Sequence, residues 1–183
     1  MGMNLTKQEK DLLLQIARKS IEAGLAGEKM SPPETESETL REKMGAFVTL
    51  KTEGRLRGCI GFIEGRKPLY KTVAEMAQAA AFNDSRFRPV REEELKYLDI
   101  EISALTPLRQ IRDIDEIKVG RHGIYLVKGF HSGLLLPQVA TEYNWDRTTF
   151  LKETCIKAGL PEDAWKDTDT QIFIFSATVF GEG

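Results

Sequence analysis

The stretch Leu56-Arg57-Gly58-Cys59-Ile60-Gly61 places a cation and a thiol on an apolar segment that two glycines interrupt. Such a segment is typical of a β-strand, in which successive side chains point to opposite faces. Arg57 and Cys59 are therefore expected to share one face, with Gly58 on the other. Because glycine lacks a side chain, a ligand or another backbone can approach this strand closely. We interpret the stretch as a candidate site.

The sequence on either side of this strand predicts a hairpin followed by a helix. Strands at 46–51 and 56–62 flank residues 52–55, a turn in which glycine supplies an unusual backbone dihedral. Pro68 suits the first turn of the next helix, which should end near 82–84. The alanines of that helix recur at helical spacing, so we expect it to lie close against the sheet.

The N-terminal part of the chain predicts a helix and then a loop. Residues 6–9 match a capping box, so a helix is expected within 1–27. Residues 28–43 carry two adjacent prolines and several acids, and we predict a mobile loop there. Residues 45–182 form the predicted body, and the whole chain 1–183 is interpreted as a single domain.

The later part of the chain alternates between strands and helices. The strand at 171–180 is apolar at nearly every position, which predicts a central place in the sheet. Asp146 is a suitable N-cap for a helix that buries Cys155 as a small hydrophobic residue. Three further strands are predicted at 98–104, 124–127 and 132–136.

The composition is that of an ordinary folded protein. The chain has 183 residues, of which 41% are hydrophobic and 30% charged, and its formal charge is −2. That charge argues against a protein that binds nucleic acid over its whole surface. We expect no signal peptide, no membrane-spanning segment and no structural zinc site. Cys59 and Cys155 lie far apart, which favours reduced thiols in a cytoplasmic protein.

A reactive Cys59 would need a cation or a base close to its thiol. Arg57 could supply charge but cannot accept a proton. His122 is the candidate base, because a glycine-flanked turn can present an imidazole, and His131 is a weaker candidate. The alternative is a buried strand cysteine beside a surface arginine, with a histidine in a loop.

Basic residues are concentrated around the same strand. Between residues 51 and 71 there are six cations and two acids. Such a surface could bind a phosphate or a carboxylate, since arginine binds both through two parallel hydrogen bonds. Solvated surface charge is the alternative. We do not expect nucleic acid as a partner, because no recognised binding motif accompanies the cations.

Residues 142–146 combine acid, amide and aromatic side chains between two predicted helices. This composition suits the rim of a pocket that includes Trp145. It equally suits a capped helix start with Trp145 packed beneath it, and the sequence does not separate the two interpretations.

Together these residues resemble a known family. The stretch Leu56–Gly61 is similar to the hallmark hexapeptide of the family named for the AMME syndrome chromosomal-region candidate gene. One departure is Ser85, where the family usually has proline, although Asp84, Arg86 and Phe87 match. The remaining similarity lies at 84–87, 122–123, 135–140, 145–146, 150–151, Cys155, 157–160 and Phe180.

The resemblance implies an α/β fold of the α+β type. Its sheet would be mainly antiparallel and flanked by helices, with two unequal lobes and the hexapeptide facing a groove between them. Similar microbial proteins are associated with a Memo-like protein and a radical-SAM protein in the AmmeMemoRadiSam system. The resemblance identifies neither a cofactor nor a reaction.

Two functional hypotheses follow. In the first, the chain is an enzyme or enzyme component whose groove at Leu56–Gly61 holds an anionic or carbonyl substrate, with Cys59 and His122 as the catalytic residues. In the second, it is a non-catalytic binding or adaptor protein that recognises a peptide, a protein partner or a nucleic acid. The candidate substrate-binding residues are Arg57, Gly58, Gly61, Asp84, Arg86 and Trp145.

Overall fold

The computed structural model describes residues 3–183, which fall into two compact units of unequal size. The larger unit comprises Met3–Leu105 and Thr178–Gly183, and the smaller unit comprises Thr106–Ala177. All described strand pairs are antiparallel, and helices accompany the strands in both units. The α+β fold with a mainly antiparallel sheet is therefore confirmed.

The helices of the larger unit begin with the predicted capping box. The Thr6 hydroxyl accepts a hydrogen bond from the Glu9 amide, and the Glu9 carboxylate accepts one from the Thr6 amide. This pairing satisfies two amides that a helix start would otherwise leave free. The helices are α1 (Lys7–Leu25), α2 (Glu38–Arg41), α3 (Leu69–Phe82) and a 3₁₀ helix at Glu92–Tyr97.

Three strands of the larger unit form an antiparallel sheet with the hexapeptide at its edge. β1 (Ala46–Thr52) lies between β2 (Arg55–Phe62) and β3 (Leu98–Leu105). Gly54 in the hairpin turn has a φ of 74°, a value that favours glycine. The hairpin predicted from the sequence is confirmed.

One face of this sheet is covered by α1 and α3. Val48, Leu50, Ile100 and Ile102 are almost fully buried on that face, each contributing about 1.5–3 kcal/mol to stability. The small side chains of α3, among them Ala77 and Ala80, allow the helix to lie close to the strands. The close approach predicted from the alanines is thus confirmed.

The smaller unit is built around the long last strand. Its elements are β4 (Arg109–Ile111), β5 (His122–Lys128), β6 (His131–Leu135), α4 (Pro137–Glu142), α5 (Arg147–Lys157) and residues 171–177 of β7 (Gln171–Gly181), whose last residues belong to the larger unit. β4 and β5 flank β7, and β6 pairs with β5. The central position predicted for this strand is confirmed. Cys155 is fully buried in α5, also as predicted.

Some short elements were absent from the sequence-based prediction, because three or four residues give no periodic signal. β4 is one of them. Within 28–43, α2 is another: Leu40 is fully buried and the Glu34 carboxylate accepts a hydrogen bond from the Tyr70 hydroxyl. The mobility of 28–43 stays a prediction.

Among the helices of residues 3–183, none has both the length and the apolarity required to cross a bilayer.

Candidate functional site

The thiol of Cys59 lies on the face of the sheet opposite α1 and α3. Cys59 is paired with Thr49 of β1, and its Sγ is 3.3 Å from the Thr49 hydroxyl. The side chain is half-buried. Burial raises the pKa of the Cys59 thiol, although the hydrogen bond with Thr49 and the charge of Arg86 act in the opposite direction. The thiol is therefore held mainly in its protonated form at neutral pH.

The backbone of Cys59 is covered from the outside by Asp84 and Arg86, which we call the edge clamp. The Asp84 carboxylate accepts a hydrogen bond of 3.0 Å from the Cys59 amide. Arg86 donates to the Asp84 carboxylate from Nε at 3.0 Å and from Nη2 at 2.7 Å, and to the Cys59 carbonyl at 3.4 Å. The clamp thus satisfies backbone groups that an edge strand leaves unpaired.

The edge clamp forms where α3 ends. The Asp84 carboxylate also accepts from the Arg86 amide at 3.1 Å, and the Phe87 amide donates to the Asp84 carbonyl at 3.0 Å. These bonds are typical of an aspartate-centred turn. The turn forms with Ser85 at the position where the family usually has proline.

Asp84 is buried, and this makes its charge costly unless partners compensate it. Hydrogen bonds from Arg86 hold the pKa of the Asp84 carboxyl far below its usual range, against the opposing effect of burial, and the Cys59 amide adds to the lowering. The carboxylate is therefore ionised throughout the neutral range.

Arg57 lies at an irregularity in β2. The register pairs Leu50 with Gly58 but Lys51 with Leu56, so Arg57 is the extra residue of a β-bulge. Simple strand alternation, which predicted that Arg57 shares a face with Cys59, does not extend across this bulge. Its guanidinium donates to the Glu94 carboxylate at 2.9 and 3.2 Å.

The two glycines of the hexapeptide are surrounded by the protein itself. A Cβ at Gly58 would collide with the carbonyl oxygen of Ala80 in α3. A Cβ at Gly61 would collide with the Ala46 carbonyl and the Phe47 ring. Both glycines therefore permit close packing within the larger unit.

His122 is the first residue of β5, in the smaller unit. Its Nδ1 accepts a hydrogen bond of 3.1 Å from the Lys118 amide. Burial, with help from Arg121 and Arg109, lowers the pKa of His122. The neutral ring therefore carries its proton on Nε2, and its Nδ1 lone pair is engaged by the Lys118 amide.

Trp145 also belongs to the smaller unit. Its ring stacks on Tyr143 with centroids 5.0 Å apart, and tilts against Phe150 at 6.4 Å. Asp146 caps α5 by accepting a hydrogen bond of 2.7 Å from the Thr149 amide. The sequence allowed either a pocket rim or a capped helix start at residues 142–146, and the capped helix start is present in the structure.

The larger unit thus brings Gly58, Cys59, Gly61 and the edge clamp together around β2, whereas His122 and Trp145 belong to the smaller unit. Their joint role in one site stays a prediction. The sequence-based prediction omitted two contacts of the hexapeptide, Thr49 and Glu94. No local signal identifies Glu94, because it lies 37 residues from Arg57.

Fold and site together define an α+β protein whose edge strand carries a clamped cysteine. The AMMECR1 family model matches residues 14–180. A protein of Methanopyrus kandleri is 44% identical over 100% of this chain and 92% of its own length. A protein of Thermococcus gammatolerans is 47% identical over 94% of this chain and 89% of its own length. This chain belongs to the AMMECR1 family.

A solved structure supports the same assignment. The crystal structure of an uncharacterised protein from Pyrococcus horikoshii is 45% identical in sequence and superposes with a TM-score of 0.87. The match covers 93% of this chain and 89% of the other. The family and the α+β fold implied by the resemblance are therefore confirmed, and the groove that the hexapeptide would face stays a prediction.

Replacement of Asp84 by asparagine removes the charge of the edge clamp and keeps its shape. We expect Asp84→Asn to lower the free energy of unfolding at pH 7 by about 2 kcal/mol, as for other charged hydrogen bonds. Because the pKa of Asp84 is lower in the folded state than in the unfolded state, its contribution is lost as pH falls below about 4. Urea unfolding should therefore show that the free energies of unfolding of variant and parent become more similar as the pH falls below about 4.

The matched control is Asp11→Asn, which changes an exposed aspartate of α1. We expect it to alter the free energy of unfolding by less than about 0.5 kcal/mol both at neutral pH and at acidic pH. A difference for Asp84→Asn that stays constant between neutral and acidic pH would show that the Asp84 charge does not stabilise the fold.

Proposed function

We propose that this chain is a non-catalytic binding protein that recognises a protein or peptide partner along β2. The observation that carries the proposal is the environment of Cys59. Its thiol contacts the Thr49 hydroxyl, and burial raises its pKa. A hydroxyl is not a base at neutral pH, so this contact does not generate a thiolate.

The groups around Cys59 are already engaged in the fold. The Asp84 carboxylate accepts from the Cys59 amide and from Arg86, and the Arg57 guanidinium is paired with Glu94. Use of either charge in a reaction would break a structural contact. This arrangement favours a stable surface over a reaction centre.

The exposed side chains along β2 support a recognition role. Leu56 and Phe62, near opposite ends of the strand, are 43% and 40% exposed, and the Arg86 side chain is 55% exposed. The guanidinium of Arg66 lies 6.0 Å from the Phe62 ring centroid. Arginine and aromatic residues are enriched at protein interfaces. The register pairs Leu56 with Lys51 and Phe62 with Ala46, so the two side chains project from opposite faces of the sheet at its edge. We call the exposed side chains of Leu56, Phe62 and Arg86 along this edge the β2 surface, which a partner would contact from both faces.

The edge clamp also limits the kind of partner. An extended peptide could add to an open edge strand through backbone hydrogen bonds. Asp84 and Arg86 already occupy the amide and carbonyl of Cys59 at the middle of β2. The proposed partner is therefore recognised by the side chains of the β2 surface.

The proposed partners are the Memo-like and radical-SAM proteins with which similar microbial proteins are associated.

Both cysteines of the chain are free thiols. Free thiols persist in a reducing compartment, which supports the cytoplasmic location that we propose.

The second candidate is an enzyme or enzyme component that acts on an anionic or carbonyl substrate. One observation favours it: the positive charge of Arg86 lowers the pKa of the Cys59 thiol, although the effect of burial is larger. This candidate requires a thiolate at neutral pH. The binding proposal requires a thiol that stays protonated.

Alkylation by iodoacetamide distinguishes the two candidates. In a Cys155→Ala background, Cys59 should react appreciably only above about pH 8.5, because its pKa is raised above that of a free cysteine. The rate is followed by mass spectrometry, with glutathione as the reference thiol. A rate that is already maximal near pH 7 would favour the enzyme.

Binding to purified Memo-like and radical-SAM proteins tests the β2 surface. Phe62→Ala should weaken the affinity for at least one of them by tenfold or more, because aromatic residues often dominate interface energies. Cys59→Ser should keep the affinity within about twofold, since the thiol is not part of the β2 surface. Isothermal titration calorimetry measures both affinities.

The matched control is Tyr97→Ala, which removes an aromatic ring that is 60% exposed in the larger unit, outside β2. It should leave the affinity unchanged. Absence of binding to either protein, or equal affinities for Phe62→Ala and Tyr97→Ala, would argue against the proposed function.

A further inference from the structure

The smaller unit contains an open cleft of about 480 Å³ that the β2 surface does not involve. Residues 174–176 of β7 line it from one side. Apart from Ser176, the polar side chains that line it come from segments outside β7: Thr106, Arg109, Glu116, Lys118, Arg121 and His122. Its volume is within the range of small-molecule sites in proteins.

The charges around the cleft are unbalanced. Arg109, Lys118 and Arg121 contribute three cations, and Glu116 contributes one carboxylate, which accepts a hydrogen bond of 2.6 Å from Arg109. The formal surplus is therefore two positive charges. The nearby Asp115 does not offset them, because its carboxylate is paired with Arg147.

Hydrogen bonds order the backbone of the turn that carries Lys118, Arg121 and His122. The amides of Arg121 and His122 both donate to the Lys118 carbonyl, at 3.0 and 2.9 Å. The Lys118 amide in turn donates to His122 Nδ1 at 3.1 Å. Gly120, with a φ of 86°, permits the turn between them. The turn before β5 is thus organised before any ligand arrives, which lowers the entropic cost of binding.

We propose that this cleft binds the phosphate group of a small molecule. A phosphate monoester carries a charge between about −1.5 and −2 at neutral pH, which matches the surplus of the cleft. Arginine binds phosphate through two parallel hydrogen bonds, and Arg109 and Arg121 both line the space. This site lies wholly in residues 106–177, so it does not depend on the binding function proposed for β2.

The turn itself supplies a reporter of binding. The positive charges of Arg121 and Arg109 contribute to the lowered pKa of His122, after burial. A bound dianion offsets those charges. The pKa of the His122 ring should therefore rise when the phosphate group occupies the cleft.

Phenyl phosphate is the probe, and the full-length protein is titrated by calorimetry and by NMR of the histidine rings. We expect saturable binding that shifts the His122 resonances. Arg121→Gln should raise the Kd at least tenfold, because it removes a charged hydrogen-bonding partner. Arg112→Gln removes an equal charge from an exposed position outside the lining and should change the Kd less than about twofold. An unchanged unfolding temperature for both variants would show that the fold is intact.

Three results would overturn the assignment. The first is no saturable binding of phenyl phosphate up to about 10 mM, a concentration that corresponds to negligible affinity. The second is an equal effect of Arg121→Gln and Arg112→Gln on the Kd. The third is equal affinity for phenyl phosphate and benzoate, which would indicate a carboxylate site.

Discussion

The hydrogen bond from the Cys59 amide to the Asp84 carboxylate is the contact on which the hexapeptide region depends. β2 is an edge strand, and an exposed edge strand readily pairs with other chains. Asp84 occupies the outward amide, and Arg86 neutralises the carboxylate that does so. The result is a charged group that is buried, fully paired and specific for one register of the strand.

The composition of the hexapeptide follows from this packing. Gly58 allows α3 to approach β2, and Gly61 accommodates the Phe47 ring. Arg57 occupies the bulge and pairs with Glu94. A pattern that resembles an active site can thus arise from the requirements of a tightly packed edge strand.

Because most groups of the hexapeptide are engaged in packing, both proposed functions depend on exposed side chains. The β2 surface presents arginine and apolar side chains, which suits a protein partner. The basic cleft of the smaller unit presents cations with few counter-ions, which suits a small anion. The two proposals use different residues in different units and can fail independently.

Much of the fold could be predicted from local patterns. The capping box at Thr6, the turn at Gly54 and the apolar run of β7 each depend on residues close together in the chain. The residue of β1 that pairs with Cys59 could not be predicted from such local patterns. A regular register continued from the pair Thr52–Arg55 would place Gly58 opposite Thr49, and the bulge at Arg57 shifts this by one residue.

The candidate site shows the same limit. The family resemblance identified the residues of the edge clamp, but not that Asp84 binds a backbone amide 25 positions away. His122 was predicted as a base from its glycine neighbours, whereas its ring accepts a hydrogen bond from the Lys118 amide. Contacts of this kind depend on tertiary packing, which spacing in the sequence does not encode.

Hydrogen exchange at the Cys59 amide tests the edge clamp most directly. In the parent protein this amide should exchange as slowly as that of Ile60, which is paired with Val48 in β1. In an Asp84→Ala variant, exchange at Cys59 should accelerate at least tenfold more than at Ile60, because only the outward amide loses its acceptor. Equal acceleration at both amides, or rapid exchange at Cys59 in the parent protein, would contradict the central role of this hydrogen bond.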